Sequence, residues 1–328
     1  MKYFLSQKKL IAMLSAVVTI LGIVSLASGR VWIGPEQWLS LDTLSQTLMW
    51  DLRLPRTLLG LMVGASLGLC GAALQGFTRN PLADPALLGI SAMAALGAIL
   101  SIYLGLSGLE PWVLAAAAIT GAFVGIVLLI LLSGLAHTIT SFILVGVILQ
   151  TLASAGVALT LSMSDNPWAS DEIINWLLGS LQDRSWEDFL FALPGVLIGS
   201  ACILLTRPAL DALSLGEIGA RALGVNLRNT QWLLALGVGL VSGSCVAATG
   251  EIGFVGFIVP HLLRPLVGNL PSKLLIPSAF AGGAMVLAAD IAVRFSPGAQ
   301  ELKLGVAMTL IGAPFFLMLL LKMRRQAA

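Results

Sequence analysis

Apolar runs long enough to cross a bilayer recur along the whole chain. A membrane helix needs about 20 predominantly apolar residues, and nine strong runs come close to or reach that length: 10–27, 57–77, 86–106, 112–133, 141–163, 189–206, 231–249, 274–293 and 304–321. A tenth run, 252–268, is interrupted by Pro260, His261, Arg264 and Pro265. The pattern predicts an all-α polytopic membrane protein with about ten transmembrane helices, occupying 1–328 as a single transmembrane domain. Two polar segments exceed a simple turn. Segment 164–188 contains Trp168, Trp176 and Trp186, and its stretch Asp171 to Leu181 reads as a short helix at the interface, where indole rings settle. Segment 207–230 lies at the opposite membrane face.

Charge decides the count and the orientation. Cytoplasmic segments carry the excess of Lys and Arg. Ten spans put both termini inside, with Lys2, Lys8, Lys9, Arg79, Arg207, Arg221, Arg228, Arg264, Lys273, Lys322, Arg324 and Arg325 on the inner side. Arg30, Arg53, Arg56, Arg184, Arg294 and Lys303 fall outside. A nine-span layout would strand the basic C-terminus outside. Acidic residues gather on outer segments, among them Glu36, Asp42, Asp51, Glu110, Asp165 and Asp171. They are weak topology signals and agree with this layout.

Composition supports the class. The 328 residues are 58% hydrophobic and 10% charged, with a mean hydropathy of +0.97, whereas soluble domains hold about 25% charged residues. A globule has too little interior to hide this much apolar surface. A soluble enzyme, a nucleic-acid binder and a disordered chain are thereby excluded. Cys70, Cys202 and Cys245 stand far apart in apolar runs, which fits small buried hydrophobes better than a disulfide framework or zinc site. The first run, 10–27, is longer than a signal-peptide core of about 7–15 residues, so an uncleaved span is expected.

Four constellations stand out. In the first, Gln75 lies one turn before Arg79-Asn80-Pro81-Leu82-Ala83-Asp84-Pro85, where two prolines stop the helix. It reads either as a capped helix end with a snorkelling arginine or as a gate on a transport path. The second, Leu210 to Val225, reads as two short helices with Gly216 as the break and Gly224 as the stop. Its apolar positions Leu213, Leu215, Ile218, Ala222 and Leu223 must cover themselves against the membrane domain or against a partner. The third, Gly250 to Arg264, is irregular and polar at membrane depth, which is tolerated inside protein or beside a water-filled cavity. In the fourth, Asp290 and Arg294 are four apart on one helix, the spacing of a neutralising pair. Gly60, Gly64 and Gly68 also share a helix face, as do Gly121 and Gly125, and permit close helix packing. His261 and His137 have no ligand cluster beside them, so no metal-ligating residue is expected, and no catalytic one.

The lysines at 2, 8, 9, 273, 303 and 322 never follow a glycine, so the chain contains no P-loop of its own. Asp290 is the one acidic residue well inside a strong run. A relay of intramembrane carboxylates, as an ion-driven carrier would need, is therefore disfavoured.

Taken in order, Arg53-Leu-Pro-Arg56, Gly64 through Gln75 to Arg79-Asn80-Pro81-Leu82-Ala83, Leu215-Gly216-Glu217 with Ala220 and Leu223-Gly224-Val225, Gly250 to Arg264, Asp290 with Arg294, and Gly312-Ala313-Pro314 resemble the FecCD-type permeases. These are membrane subunits of ABC importers for iron-siderophores, haem and cobalamin. The resemblance covers nearly the whole chain and implies the type II ABC importer permease fold in a bacterial cytoplasmic membrane. It implies a second permease copy or similar subunit, two cytoplasmic ATPase subunits and a substrate-binding protein as partners. ATP and Mg would be used by the ATPase, and this chain would bind no cofactor. By the same resemblance Leu215, Gly216, Glu217, Ala220, Arg221, Leu223 and Gly224 couple to the ATPase, and Arg53, Arg56 and Arg294 dock the binding protein. Gln75, Arg79, Asn80 and Pro81 are candidates for the translocation path. One departure stands at Leu302-Lys303-Leu304-Gly305, where the family usually reads Leu-Pro-Val-Gly. Ferric siderophore is the first expectation for the cargo, then cobalamin, then haem. An ion-coupled secondary transporter, or a membrane scaffold that transports nothing, are the competing classes.

Overall fold

A computed structural model describes residues 6–29, 32, 38, 46–134, 138–268, 270–297 and 301–327. Lys2, Arg30, Glu36, Asp42 and His137 lie outside the described residues, as do the side chains of Lys322, Arg324 and Arg325. The described residues form helices and no strand. In chain order these are α1 (Gln7–Ala27), α2 (Leu54–Thr78), α3 (Ile90–Tyr103), α4 (Pro111–Ser133), α5 (Ile139–Ser162), α6 (Pro167–Leu177), α7 (Trp186–Leu205), α8 (Arg207–Leu213), α9 (Gly216–Ala222), α10 (Leu227–Thr249), α11 (Val255–Val267), α12 (Pro271–Arg294) and α13 (Leu304–Ala327).

Seven helices are long and apolar enough to cross a membrane: α1, α2 with the π-helical turn Thr47–Arg53 before it, α4, α5, α7, α10 and α12. Three shorter apolar helices, Ile90–Tyr103, Val255–Val267 and Leu304–Leu319, occupy the other three expected spans. The order of the ten runs is as the sequence predicts, but two boundaries differ. Run 86–106 is not one helix: Pro85–Leu88 forms a 3₁₀ turn and Gly89 takes φ +70°, so α3 starts only at Ile90. Apolarity continues through this break, which hides it from a hydropathy reading. The second span also begins earlier than 57, with Arg53 and Arg56 inside the helix rather than in an outer loop. Their charges are satisfied there by partners distant in sequence. The interfacial helix is α6, shifted toward the N-terminus from the expected 171–181, because Asn166 caps it through the Trp168 amide and Pro167 opens its first turn.

Helices α2 and α10 are the axis of the molecule, each with 78% of its span buried, against 22–28% for α1, α4, α5 and α7, whose outer faces suit lipid. Small residues make the axis compact. A side chain on Gly64 would collide with the Gly282 carbonyl of α12, one on Gly68 with the Ser278 carbonyl, and one on Gly71 with Gly256 of α11. Gly97 of α3 and Gly121 of α4 meet in the same way. Backbones that approach this closely gain dispersion and weak polar contacts that leucine-sized interfaces lack. Phe77 and Phe142 close the inner end of α2 against α5 with an edge-to-face contact at 5.6 Å between centroids.

Candidate functional site

Three polar regions interrupt this apolar scaffold. The first is at the inner face. Helices α8 and α9 meet at Gly216, φ +90°, and α9 stops before Gly224, φ +82°, as the glycine positions predict. Leu210, Leu213 and Ala220 are fully buried beneath the pair. The Asp211 carboxylate fixes it to the start of α12, accepting from the Ser272 amide at 2.9 Å and hydroxyl at 2.6 Å. The opposite side is bare: Leu215, Ile218 and Leu223 are 68%, 87% and 64% exposed, with Arg221 exposed beside them. The apolar face thus divides between the membrane domain and an uncovered surface. Arg79, in the left-handed conformation that ends α2, places its guanidinium beside Gly216.

Arg79 and Gln75 share an inner cavity of about 220 Å3 with Arg264 and Ser214. Gln75 is 1% exposed. Its amide donates to the Gly256 and Phe257 carbonyls at 3.3 and 3.2 Å and accepts from Arg264 Nη2 at 2.8 Å. It bolts the first turn of α11 to α2 and bonds the Gly256 carbonyl, which lacks a helical donor because Pro260, four residues on, has no N–H. Asn80 shapes the turn after α2, its Oδ1 accepting from the Leu82 amide at 2.9 Å. Pro81 follows it in that turn and is half-buried.

The second region is at the outer end. Arg53, Arg56 and Arg294 are brought together, but pointing inward. Arg53 donates to the Leu26 and Ala27 carbonyls at 2.9 and 2.8 Å. Arg294 donates to Asp290 at 3.0 Å, to the Ser25 and Ser28 carbonyls at 2.7 and 3.0 Å and to the Ser25 hydroxyl at 3.0 Å. The pair expected from the spacing of 290 and 294 is present. Sequence reasoning missed that Arg56 also grips Asp290, at 2.8 Å, and Glu301 at 2.7 Å. These partners are 234 and 245 residues away, beyond any local pattern. Arg56 is the most accessible of the three, its side chain 12% exposed.

The third region joins two stretches singled out in the sequence, Gly250 to Arg264 and Arg79 to Pro85, and adds partners near 179 and 305 that were not foreseen. The loop after α10 turns at Gly250, φ +70°, and Phe254, φ +67°, and the Ser180 amide donates to the Thr249 carbonyl at 2.8 Å. The Gly305 amide donates to the Gly179 carbonyl at 3.1 Å, so the ends of α6 and α10 and the start of α13 are tied together. Beside this knot is a cavity of about 710 Å3 lined by Leu82, Asp84, Glu251, Phe254, Thr309 and Phe316, among others. Asp84 caps the 3₁₀ turn, accepting from the Ala86 amide at 3.0 Å. Both carboxyls belong to connecting segments between helices. Burial raises the Asp84 carboxyl above the ordinary carboxylate range, partly offset by the Ala86 amide. Burial is also the larger cause for Glu251, followed by the Asp84 charge. The signal available in sequence was an acid directly inside each irregular stretch.

Among the described residues no group of three His, Cys, Asp or Glu side chains could hold a metal. The FecCD transport family model matches residues 17–322. The vitamin B12 import system permease protein BtuC of Salmonella newport (strain SL254) is 38% identical over 316 residues, covering 95% of this chain and 94% of that protein. The BtuC protein of Salmonella typhi matches to the same extent. Among solved structures, a transporter assigned to the metal-chelate ABC type, in an inward-facing conformation, superimposes with a TM-score of 0.87 at 35% identity, over 96% of this chain and 99% of that one. PsaBC from Streptococcus pneumoniae, in complex with Fab, shares the fold with a TM-score of 0.55 at 19% identity, over 86% and 93% of the two chains. The resemblance carried by the six sequence motifs is thereby confirmed, and the chain is a multi-pass membrane protein that belongs to the FecCD transport family.

Proposed function

We propose that this chain is the membrane permease of an ATP-driven importer in a bacterial cytoplasmic membrane, moving a metal chelate inward. A separate pair of cytoplasmic ATPase subunits hydrolyses Mg-ATP and rocks two permease copies, or this chain and a similar one, between outward-open and inward-open states. The observation that carries the reading is the bare apolar ridge of Ile218 on α9 with Leu215 and Leu223 at its two ends. It projects from a polar inner segment that the distribution of basic residues places in the cytoplasm. Exposed apolar side chains clustered on a short rigid helix fit insertion into a cleft on a partner. Glu217 and Arg221 flank the ridge and would fix its register, while Gly216, Ala220 and Gly224 give the helix its break, its buried seat and its stop.

A substrate-binding protein delivers cargo at the outer end. Of the three arginines, Arg56 is placed to meet a docking carboxylate by exchanging Glu301 for it. Arg53 and Arg294, held by carbonyls and Asp290, support Arg56 from below. Gln75, Arg79, Asn80 and Pro81 form a hinge between the translocation path and α9, because Gln75 holds α11 while the Arg79 guanidinium lies near Gly216.

For the cargo, the 38% identity to vitamin B12 permeases moves cobalamin ahead of ferric siderophore, with haem third. Purifying the cognate binding protein with its native ligand and recording its visible spectrum tests this order. A corrin spectrum supports it, and a ferric-siderophore charge-transfer band or a porphyrin Soret band overturns it. The importer reading itself is tested by replacing the P-loop lysine of the partner ATPase. Uptake should cease, whereas continued uptake on a sodium or proton gradient would make this an ion-coupled carrier.

A further inference from the structure

Two carboxyls are left without a task by the coupling and docking regions, Asp84 half-buried and Glu251 exposed. Asp84 and Glu251 lie on the wall between two cavities: the large one of about 710 Å3 and a small one of about 20 Å3 behind it. Ala86, Gly253 and Phe254 complete this shared wall. The large cavity is within the size range of small-molecule sites, roughly 300–1,000 Å3, and like them is mainly apolar with few polar groups. The small cavity holds an independent sign of an absent guest. The hydroxyl of Ser242, 1% exposed, lines it without a hydrogen-bond partner, and Asp84 Oδ2 is buried and equally unpartnered. Native interiors rarely leave such groups unsatisfied unless a water or ligand fills the gap, and about 20 Å3 suffices for one water.

We propose that Asp84 and Glu251 are the polar contacts of a cargo site in the large cavity. They select a guest that turns amide N–H or cationic groups toward them and reject one whose rim is carboxylate or phenolate. This rests on the importer reading. A water in the small cavity would tie Ser242 to Asp84 and aim the carboxyl outward. A donor-bearing guest satisfies acceptors that are otherwise empty, while an anionic guest adds a third like charge in a site poor in water. Repulsion of the wrong guest then contributes as much to specificity as attraction of the right one. The backbone beneath is constrained, since Gly179, Gly250 and Phe254 all take positive φ and a side chain on Gly179 would strike the Glu251 carbonyl. Glu251 is therefore presented from a rigid support, and Asp84 from the cap of the 3₁₀ turn.

The test uses the full chain in lipid nanodiscs with Thr309→Cys, an exposed position on the cavity wall. Two methanethiosulfonates of similar size, one bearing trimethylammonium and one sulfonate, label the introduced thiol. Labelling of the parent chain, with its Cys70, Cys202 and Cys245, is subtracted. The cation-to-anion rate ratio, divided by the same ratio for a free thiol in solution, should exceed unity by about tenfold or more, as charged clefts concentrate counter-ions. Asp84→Asn with Glu251→Gln should return it to near unity, and Glu251→Asp, which keeps the charge, should preserve it. Cyanocobalamin, rich in amides, should slow labelling several-fold more than the anionic ferric citrate. A ratio near unity at the start, a ratio indifferent to neutralisation, equal effects of the two chelates, or an introduced thiol that neither reagent reaches would each overturn the proposal. The measurement needs no ATPase. A chain that fails to drive ATP-dependent uptake yet shows the charge selection would sink the importer reading and leave the carboxyl site standing.

Discussion

Asp290 is the acid shared by two arginines at the outer end. It is fully buried and receives both Arg56 and Arg294. Removing one member of a buried ionic set leaves the others charged and unpartnered, which costs about 3–5 kcal/mol. Asp290→Ala should therefore sharply lower the unfolding temperature of the purified chain in detergent, and Glu301→Gln, at the accessible edge of the set, should lower it less. Equal effects would mean that the network is not centred on Asp290. The pairing of 290 with 294 was legible because four residues is a helical turn. The engagement of Arg56 with Asp290 and Glu301, and of Arg53 with the carbonyls of Leu26 and Ala27, was not, because it exists only once distant helices meet. Read from sequence, these arginines are exposed cations at an outer edge. In the fold Arg53 closes the end of α1, and Arg56 joins Asp290 and Glu301 in an ionic set.

At the scale of elements, apolar periodicity identified ten runs in the right order because bilayer thickness imposes one length on every full span. It failed where tertiary structure overrides length. Run 86–106 is broken at Gly89, after the 3₁₀ turn that Pro85 opens, inside an unbroken apolar stretch, and α11 is a short helix containing Pro260 and Pro265 whose Gly256 carbonyl bonds Gln75 instead of a helical N–H. The glycine face of α2 was legible as a packing device, and its partner is α12. Gly64→Leu should cost more than the roughly 1–3 kcal/mol typical of overpacked cores, because the obstacle is the Gly282 backbone rather than a movable side chain. Gly22→Leu, in open space on α1, should leave thermal stability unchanged in the same assay. Helix α9 was legible in both its limits and its apolar side, yet only the fold divides that side into a buried seat at Ala220 and a bare ridge at Ile218. Ile218→Asp should preserve the melting temperature while weakening association with the ATPase by roughly 30-fold or more, the loss expected of a central apolar anchor. Co-purification or surface binding of the ATPase checks this, and unchanged association would remove α9 as the docking element.

At the scale of the molecule, the apolar 58% of the residues builds a scaffold around α2 and α10, and the few polar groups divide into three stations along it. An outer ionic clasp, a mid-depth cavity with two carboxyls and an inner helical ridge form a sequence suited to receiving, passing and driving a cargo. Gln75, bonded to the Phe257 carbonyl on the cavity wall, and Arg79, near Gly216, lie between the last two and connect cavity wall and ridge in space. Such a connection makes coupling possible, and coupling itself is established only by perturbing one end and reading the other. The most direct measurement is cobalamin accumulation in proteoliposomes containing this chain, its ATPase and its binding protein, with ATP supplied on the ATPase side. Accumulation should require ATP, stop when the P-loop lysine of the ATPase is replaced, and fall strongly with Ile218→Asp. Accumulation that persists without a competent ATPase, or that is indifferent to Ile218→Asp, would contradict the ATP-driven mechanism.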